Sequence, residues 1–323
     1  MEEVIRMKRV FLAACAAAVA SVTVVGCTTA AAGPVSEADA ARVDAAQADT
    51  AATERAVTDA EQVLVDKARE LLIEDCMAAE GFRYRPVPVA GVEERQGSGY
   101  VLDDVGWARE HGYGTELQDR LVAILQDDTN NAYANALPKA ERLRYSKALD
   151  GDASADMLTA ELPMGGAIQT PADSCVAHAK GELYGDFAAW FQAEKVAANL
   201  VGLYADDLVA DERFETVLAA WSECMRERGH DYPDPPAIRE DLPRLTDGLS
   251  DEKALDVEQE LAVAEAICAT RETSLVSTTR DLESEYRGRL WQYRDDVITY
   301  QRLQHAAVEQ AREILAAEPA PSN

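Results

Sequence analysis

The 323-residue chain reads as a mainly α-helical protein, an elongated multi-helix bundle of two related halves, each stapled by one disulfide and carrying loop-rich insertions. Three observations predict this. Behind the N-terminus, apolar residues recur at steps of three and four over most of the chain. A Cys-Met-x-x-x-Gly segment occurs twice, at Cys76 to Gly81 and Cys224 to Gly229, each preceded by an acid and followed by a Tyr three residues after the Gly (Tyr84, Tyr232). Once the N-terminal segment is set aside, Cys76, Cys175, Cys224 and Cys268 remain, an even number that suits two disulfides in an exported protein.

Composition narrows the function classes. A net charge of −28 argues against nucleic acid and against electrostatic docking onto anionic lipid, since both need Lys and Arg. Hydrophobic residues make up 47% but aromatics only 6%, so the core is mostly aliphatic. Arg outnumbers Lys and Ala is abundant, as in proteins of high-GC bacteria.

Residues 1–26 read as a signal peptide. Arg6, Lys8 and Arg9 give a basic start, and Val10 to Val25 is an apolar run too short to span a membrane. Met7 is an alternative start to Met1. The run ends in Val24-Val25-Gly26-Cys27, which resembles the lipobox of bacterial lipoproteins. That resemblance implies cleavage before Cys27 and lipid on its sulfur, hence a membrane anchor. Residues 27–53, rich in Ala, Thr and Asp, read as a tether.

The first half is expected over residues 54–205. Glu54 to Glu80 predicts a helix stopped by Gly81. Ala90 to Gly114 is Gly-rich and predicts loop with one short hairpin, packed down by Trp107 and Tyr113. Thr115 opens a helix broken near Asp127-Asp128, and Pro138 suits the first turn of the next. Leu162 to Gly166 is irregular, and Pro171 is expected to open the helix holding Cys175. The second half is expected over 206–317. Helix continues from Gly185 to Gly229, with a break near Asp206-Asp207. Asp231 to Gly248 is Pro-rich and predicted extended, Ser250 starts a helix, and a last helix runs from Thr278 to Ala317. In that helix Leu282, Tyr286, Leu290, Tyr293, Val297 and Tyr300 form a heptad-like seam. Residues 318–323 are expected to be a disordered tail.

Four cysteines permit three connectivities. The repeat favours pairing within halves, Cys76 with Cys175 and Cys224 with Cys268, and implies an old duplication. These pieces taken together resemble a family of uncharacterised actinobacterial lipoproteins. They are the Val24 to Cys27 lipobox, Trp221-x-x-Cys224-Met225-x-x-x-Gly229 with Tyr232-Pro233-Asp234-Pro235, Cys175 with Leu183 to Asp186, and Ala264 to Cys268. The resemblance implies export, a lipid anchor and disulfides. It implies no chemistry.

A search for chemistry finds little. His111, His178, His230 and His305 are far apart and read as surface or packing residues. The acidic pairs Asp103-Asp104, Asp127-Asp128, Asp206-Asp207 and Asp295-Asp296 read as helix caps or solvated faces, and Asp127 to Asn131 lacks the spacing of a calcium loop. Tyr232 to Pro236 reads as a rigid crossover, with a recognition loop as the alternative. No catalytic residues, metal ligands or cofactors are expected. Tyr286, Tyr293 and Tyr300 are the candidate partner-binding residues. The expected function is a lipid-anchored binding or accessory protein on the outer face of the cytoplasmic membrane, held there through Cys27 and contacting an envelope protein or the cell wall. The alternatives are a small-solute binder with a cleft between the halves and an envelope hydrolase using acidic residues.

Overall fold

The computed structural model describes residues 55–317 apart from 98, 127–128, 153 and 155. Cys27, the signal peptide, the tether, the Asp127-Asp128 pair and the tail therefore lie outside the described residues. The described part is a mainly α multi-helix bundle with two disulfides and one short hairpin.

Helix α1 spans Asp59–Ala79. It starts later than the apolar pattern suggests because Thr58 caps it. Thr58 Oγ1 accepts from the Glu61 amide, and the Glu61 carboxylate accepts from the Thr58 amide, a reciprocal capping box. At the far end Gly81 adopts φ +84° and the Phe82 amide donates to the Met77 carbonyl at 2.9 Å. That left-handed stop is natural for glycine. The later segment repeats it. Gly229 adopts φ +90°, and the His230 amide donates to Met225 at 2.9 Å. Met77 and Met225 are both fully buried. The two segments thus form the same device: a buried Met in the last turn, a glycine stop, and a cysteine one residue before the Met.

The disulfides pair as the repeat favours, Cys76 with Cys175 and Cys224 with Cys268, with Cα–Cα distances of 5.5 and 5.8 Å. The likeness of the halves stops there. Cys175 is the first residue of its helix, whereas Cys268 follows the last residue of the helix Asp251–Ile267, at the start of a π turn. One staple joins a helix end to a helix start, and the other joins two ends.

In the Gly-rich stretch the structure has a 3-10 turn at Glu93–Arg95 and a helix α2 at Val105–His111, where a hairpin was expected. Asp104 starts α2 by accepting from the Gly106 and Trp107 amides, and Trp107 is buried as expected. Three helices follow: α3 (Thr115–Gln126), α4 (Thr129–Ala136) and α5 (Lys139–Asp150), the last beginning directly after Pro138. The hairpin lies further on. Strands β1 (Met157–Glu161) and β2 (Ala167–Pro171) pair antiparallel, Met157 opposite Pro171 and Glu161 opposite Ala167. The irregular Leu162 to Gly166 is its turn, closed by Leu162 and Gly166 with Gly165 and Gly166 at positive φ. Pro171 therefore ends a strand. Ser174 starts the next helix, α6 (Cys175–Tyr184), by accepting from the Ala177 amide.

Helix α7 covers Phe187–Asn199, a 3-10 turn covers Leu200–Leu203, and short α8 covers Ala205–Val209. Asp206-Asp207 sits inside α8, so the break falls on either side of it. Helix α9 spans Glu212–Glu227 and carries the second glycine stop. The Pro-rich stretch after it is helical, not extended. Helix α10 spans Pro235–Thr246. Asp234 caps it by accepting from Ala237, and Pro235-Pro236 occupy first-turn positions whose N–H groups would have no helical partner anyway. Helix α11 spans Asp251–Ile267 and α12 Leu275–Gly288. The expected last helix is split: after Gly288 the chain makes a 3-10 turn at Trp291–Tyr293, and α13 runs Arg294–Ala317.

The split follows from packing. Leu282 of α12 is buried with Leu208, Phe214, Trp221, Met225, Ile238, Leu261 and Leu275 in the largest core cluster. Leu303, Ala307, Val308 and Ala311 of α13 are buried with Val65, Ala68, Leu183, Trp190 and Phe191 in another. One straight helix cannot reach both. The division at 205/206 is thus a division of the chain and not of the packing. The C-terminal helix completes the lobe begun by α1, α6 and α7. Conversely, Leu102, Val105, Trp107, Ala108 and Leu117 pack on Ala262 and Ala266 of α11 in the second lobe.

A buried carboxylate locks that exchange. Glu265 on α11 is wholly buried. It accepts from the Leu102 amide at 2.8 Å, from Arg239 at 2.9 Å and from the Tyr113 hydroxyl at 2.7 Å. Burial raises its pKa despite the guanidinium beside it. Glu258, one turn pair earlier, accepts from the Tyr113 amide at 3.2 Å.

Candidate functional site

The second Cys-Met-x-x-x-Gly segment also borders a cleft. The chain leaving the second glycine stop, Gly229 to Tyr232, faces Asp241, Arg244 and Leu245 of α10 and Val257, Glu260 and Leu261 of α11. The cleft holds about 410 Å³ and opens to solvent. It lies within the second lobe and not between the halves.

Each wall is fixed by identifiable contacts. The stop places His230 through its amide bond to Met225. Ser222 Oγ donates to the Tyr232 carbonyl at 2.7 Å and holds the loop against α9. Asp241 is braced on both oxygens. Arg244 reaches it through Nε and Nη2, each at 2.6 Å, and the Tyr232 hydroxyl donates to it at 3.0 Å. This brace ties the loop to α10. Arg244 holds the Asp241 carboxyl below its usual range. Partial burial, and then the bond to that carboxylate, push the Tyr232 phenol up. Leu245, Val257 and Leu261 form the apolar wall. The staple Cys224–Cys268 ties α9, which carries the loop, to the end of α11.

What the cleft leaves uncommitted is more informative. His230 Nε2 and Glu260 Oε1 face each other at 3.9 Å, too far for a direct hydrogen bond. His230 is 15% exposed and Glu260 75%. Asp231 is exposed and makes no ion pair among the described residues. The site therefore has an apolar body, one guanidinium already spent, and acceptors free for a guest.

The other candidate residues lie elsewhere. Tyr286, Tyr293 and Tyr300 do not form one face. Tyr286 packs on the large core, and its hydroxyl lies 3.2 Å from Asp211 Oδ2 and 3.3 Å from the Asp207 carbonyl. The Tyr293 hydroxyl donates to the Pro163 carbonyl in the hairpin turn at 3.3 Å. The Tyr300 hydroxyl accepts from Gln304 at 2.6 Å. All three hydroxyls are used inside the chain. The residue beside them that does face solvent is Trp291, 78% exposed at the split between α12 and α13. His305 meets the Arg55 carbonyl at 2.8 Å, His111 lies against the Trp107 ring, and His178 is exposed on α6, so three of the four histidines stand apart from the cleft. Asn130, in the oxygen-rich run, clamps the backbone of Arg85 from both sides of its amide. Among the described residues no group of three or more His, Cys, Asp or Glu side chains could hold a metal ion, and no helix is long and apolar enough to cross a membrane.

Sequence reasoning did not single out Asp241, Arg244, Leu245, Val257 or Glu260. Asp241 and Arg244 are three apart, a pair that faces on a helix, but the prolines hid the helix. No protein-family model matches the chain, and no match was found among curated proteins or solved structures.

Proposed function

We propose that the chain is a binding or accessory protein of the cell envelope, anchored through lipid on Cys27 at the outer face of the cytoplasmic membrane, and that its contacts run through the cleft beside Gly229. The anchor rests on the Val24 to Cys27 sequence and its resemblance to lipoproteins. The two disulfides support an oxidising compartment. The observation that carries the binding role is the cleft itself: an apolar wall of Leu245, Val257 and Leu261, rimmed by His230, Asp231 and Glu260. The Asp241 carboxylate in it is engaged on both oxygens. That commitment suits holding a guest better than proton transfer to one.

A cleft volume of about 410 Å³ falls within the range of small-ligand pockets, and this favours a small-solute binder as the second reading. The test has two arms in intact cells. Metabolic labelling with a clickable fatty acid should mark the wild-type chain and leave Cys27→Ser unmarked; equal labelling of both removes the anchor. A photocrosslinking residue at Val257 should capture one envelope component that the same residue at Lys139, in the first lobe, does not. Identical captures from the two positions remove the cleft as the contact site.

A further inference from the structure

We infer that the face running from Trp291 along α13 to His305 is the surface by which the folded part lies on an anionic phospholipid bilayer. The inference rests on the lipid anchor at Cys27 and adds the orientation that the anchor imposes. Trp291, in the turn just before α13, is the most exposed large hydrophobic side chain among the described residues, at 78%. Ile298 is exposed on the helix itself, and seven residues further along the same face stands His305. The hairpin turn adds a third apolar tip. The Tyr293 hydroxyl bonds the Pro163 carbonyl at 3.3 Å, and the next residue, Met164, is 57% exposed. An exposed Trp beside aliphatic side chains suits the headgroup boundary of a bilayer, where the ring has one apolar side and one wet edge.

The chain enters the folded part at this face. His305 Nε2 meets the Arg55 carbonyl at 2.8 Å, so the first described residue is seated on α13. Arg294 and His305 are eleven residues apart, about 17 Å along a helix. The 28 steps from Cys27 to Arg55 span at most about 100 Å. A chain held to a bilayer at Cys27 is therefore drawn toward it from the side that carries Trp291 and Ile298.

Charge favours the same face. The net charge of −28 opposes an anionic surface for the chain as a whole, so docking needs a face where the sign is reversed. Arg294 and Arg302 lie four residues on either side of Ile298, both exposed and without an ion pair among the described residues. Asp295 is the acid beside them, which leaves the stripe with one net positive charge. Arginines at the phosphates with their stems along the apolar side chains fit the layering of such a surface. A second copy of the chain would instead bring the same strongly negative charge.

The test uses the full lipidated chain in vesicles of phosphatidylcholine and phosphatidylglycerol in equal parts. Flotation checks the anchor, and brominated phosphatidylcholine quenches any tryptophan that enters the bilayer surface. Of the four tryptophans, Trp107, Trp190 and Trp221 are buried, so the quencher reads Trp291. Wild type should lose about a quarter of its emission, one tryptophan in four, and Trp291→Phe almost none. Arg294→Gln/Arg302→Gln should lower the docked-to-free ratio more than about fivefold, the factor a single basic residue contributes near an anionic surface. All three side chains are exposed, so these variants do not threaten the fold. Floating wild type quenched no more than Trp291→Phe, or an arginine variant quenched as fully as wild type, overturns the inference and leaves the anchor standing. If acrylamide is also kept from the unquenched ring, a protein covers the face instead of lipid. A chain that does not float removes the anchor, and the inference with it.

Discussion

Arg239→Ala is the sharpest test of what holds the two lobes in register. Glu265 is completely buried and Arg239 is 24% exposed, 2.9 Å apart. The guanidinium also donates to the Tyr100 carbonyl at 3.3 Å and lies over the Tyr113 ring at 5.1 Å. Removing it leaves a buried carboxylate with two donors, the Leu102 amide and the Tyr113 hydroxyl. Breaking a buried pair from one side costs about 3–5 kcal/mol, and the partial exposure of Arg239 places this case near the lower end, about 3 kcal/mol. For a protein of this size that is a fall in Tm of about 6–12 °C. The loss has a pH signature. The folded-state pKa of Glu265 is raised above its unfolded value, so the folded state favours the protonated acid. Its contribution is fully present below the unfolded pKa and is lost as pH rises through the folded one. Without Arg239 the folded value climbs further, so the deficit of the variant should be largest near pH 8 and shrink toward pH 5. Thermal unfolding followed by near-UV circular dichroism at both pH values measures it. The double variant Arg239→Ala/Glu265→Gln should recover part of the loss. A penalty below about 1 kcal/mol at pH 8, or a double variant no more stable than the single one, would refute the argument that an uncompensated buried charge is the cost.

Other positions give independent tests. Burial raises the pKa of Glu283 to about 7 against the pull of Arg287 and Arg280, so ionisation costs stability as pH rises from about 4.5 through 7. Glu283→Gln should match wild type near pH 4.5 and gain about 1–2 kcal/mol at pH 8 by denaturant titration, and no gain there contradicts the assignment. Cys224→Ala/Cys268→Ala, with a sequence separation of 44, should lose about 4 kcal/mol on the loop-entropy model, read by the same denaturant titration. Gly112→Ala and Gly229→Ala separate crowding from backbone strain. A Cβ at Gly112 meets Glu258 Cβ at 2.5 Å, while at Gly229 nothing lies within 4 Å, so by the same titration the first should cost more than about 2 kcal/mol and the second about 1. Trp291→Ser should leave stability within about 0.5 kcal/mol, since the ring is 78% exposed.

The sequence was legible where one local signal decided the outcome. Both glycine stops and the helix starts at Thr115 and just after Ser250 follow from residues that act over a turn or two, and the disulfide pairing follows from the repeat. It misled where a local signal had two physical uses. Proline at positions 235 and 236 both forbids a helix interior and favours a helix start, and the cap at Asp234 tips the balance. Glycines at 165 and 166 mark a hairpin turn whose flanking strands carry too few apolar residues to announce themselves, with Ala160 alone fully buried against α7. The single last helix failed for a different reason. Heptad spacing states that residues share a helical face, but Leu282 packs in the large core while Tyr293 reaches the hairpin turn, and no spacing records that. The cleft was half visible: Gly229 to Tyr232 stood out, whereas Asp241, Arg244, Val257 and Glu260 become neighbours only once α10 and α11 fold back on the loop.

The late arrival of α13 has a consequence for how the chain is made. Val65 and Ala68 share their core with Leu303, Ala307, Val308 and Ala311, more than two hundred residues later. The first lobe therefore has no complete interior while synthesis is under way, and its closing contacts are among the most distant in the polypeptide. Contacts of such long range form slowly, because a large loop must close before they reward it. A nascent chain of this kind stays open until its last helix emerges. On that ordering the 24 residues of α13 set when the first lobe can close.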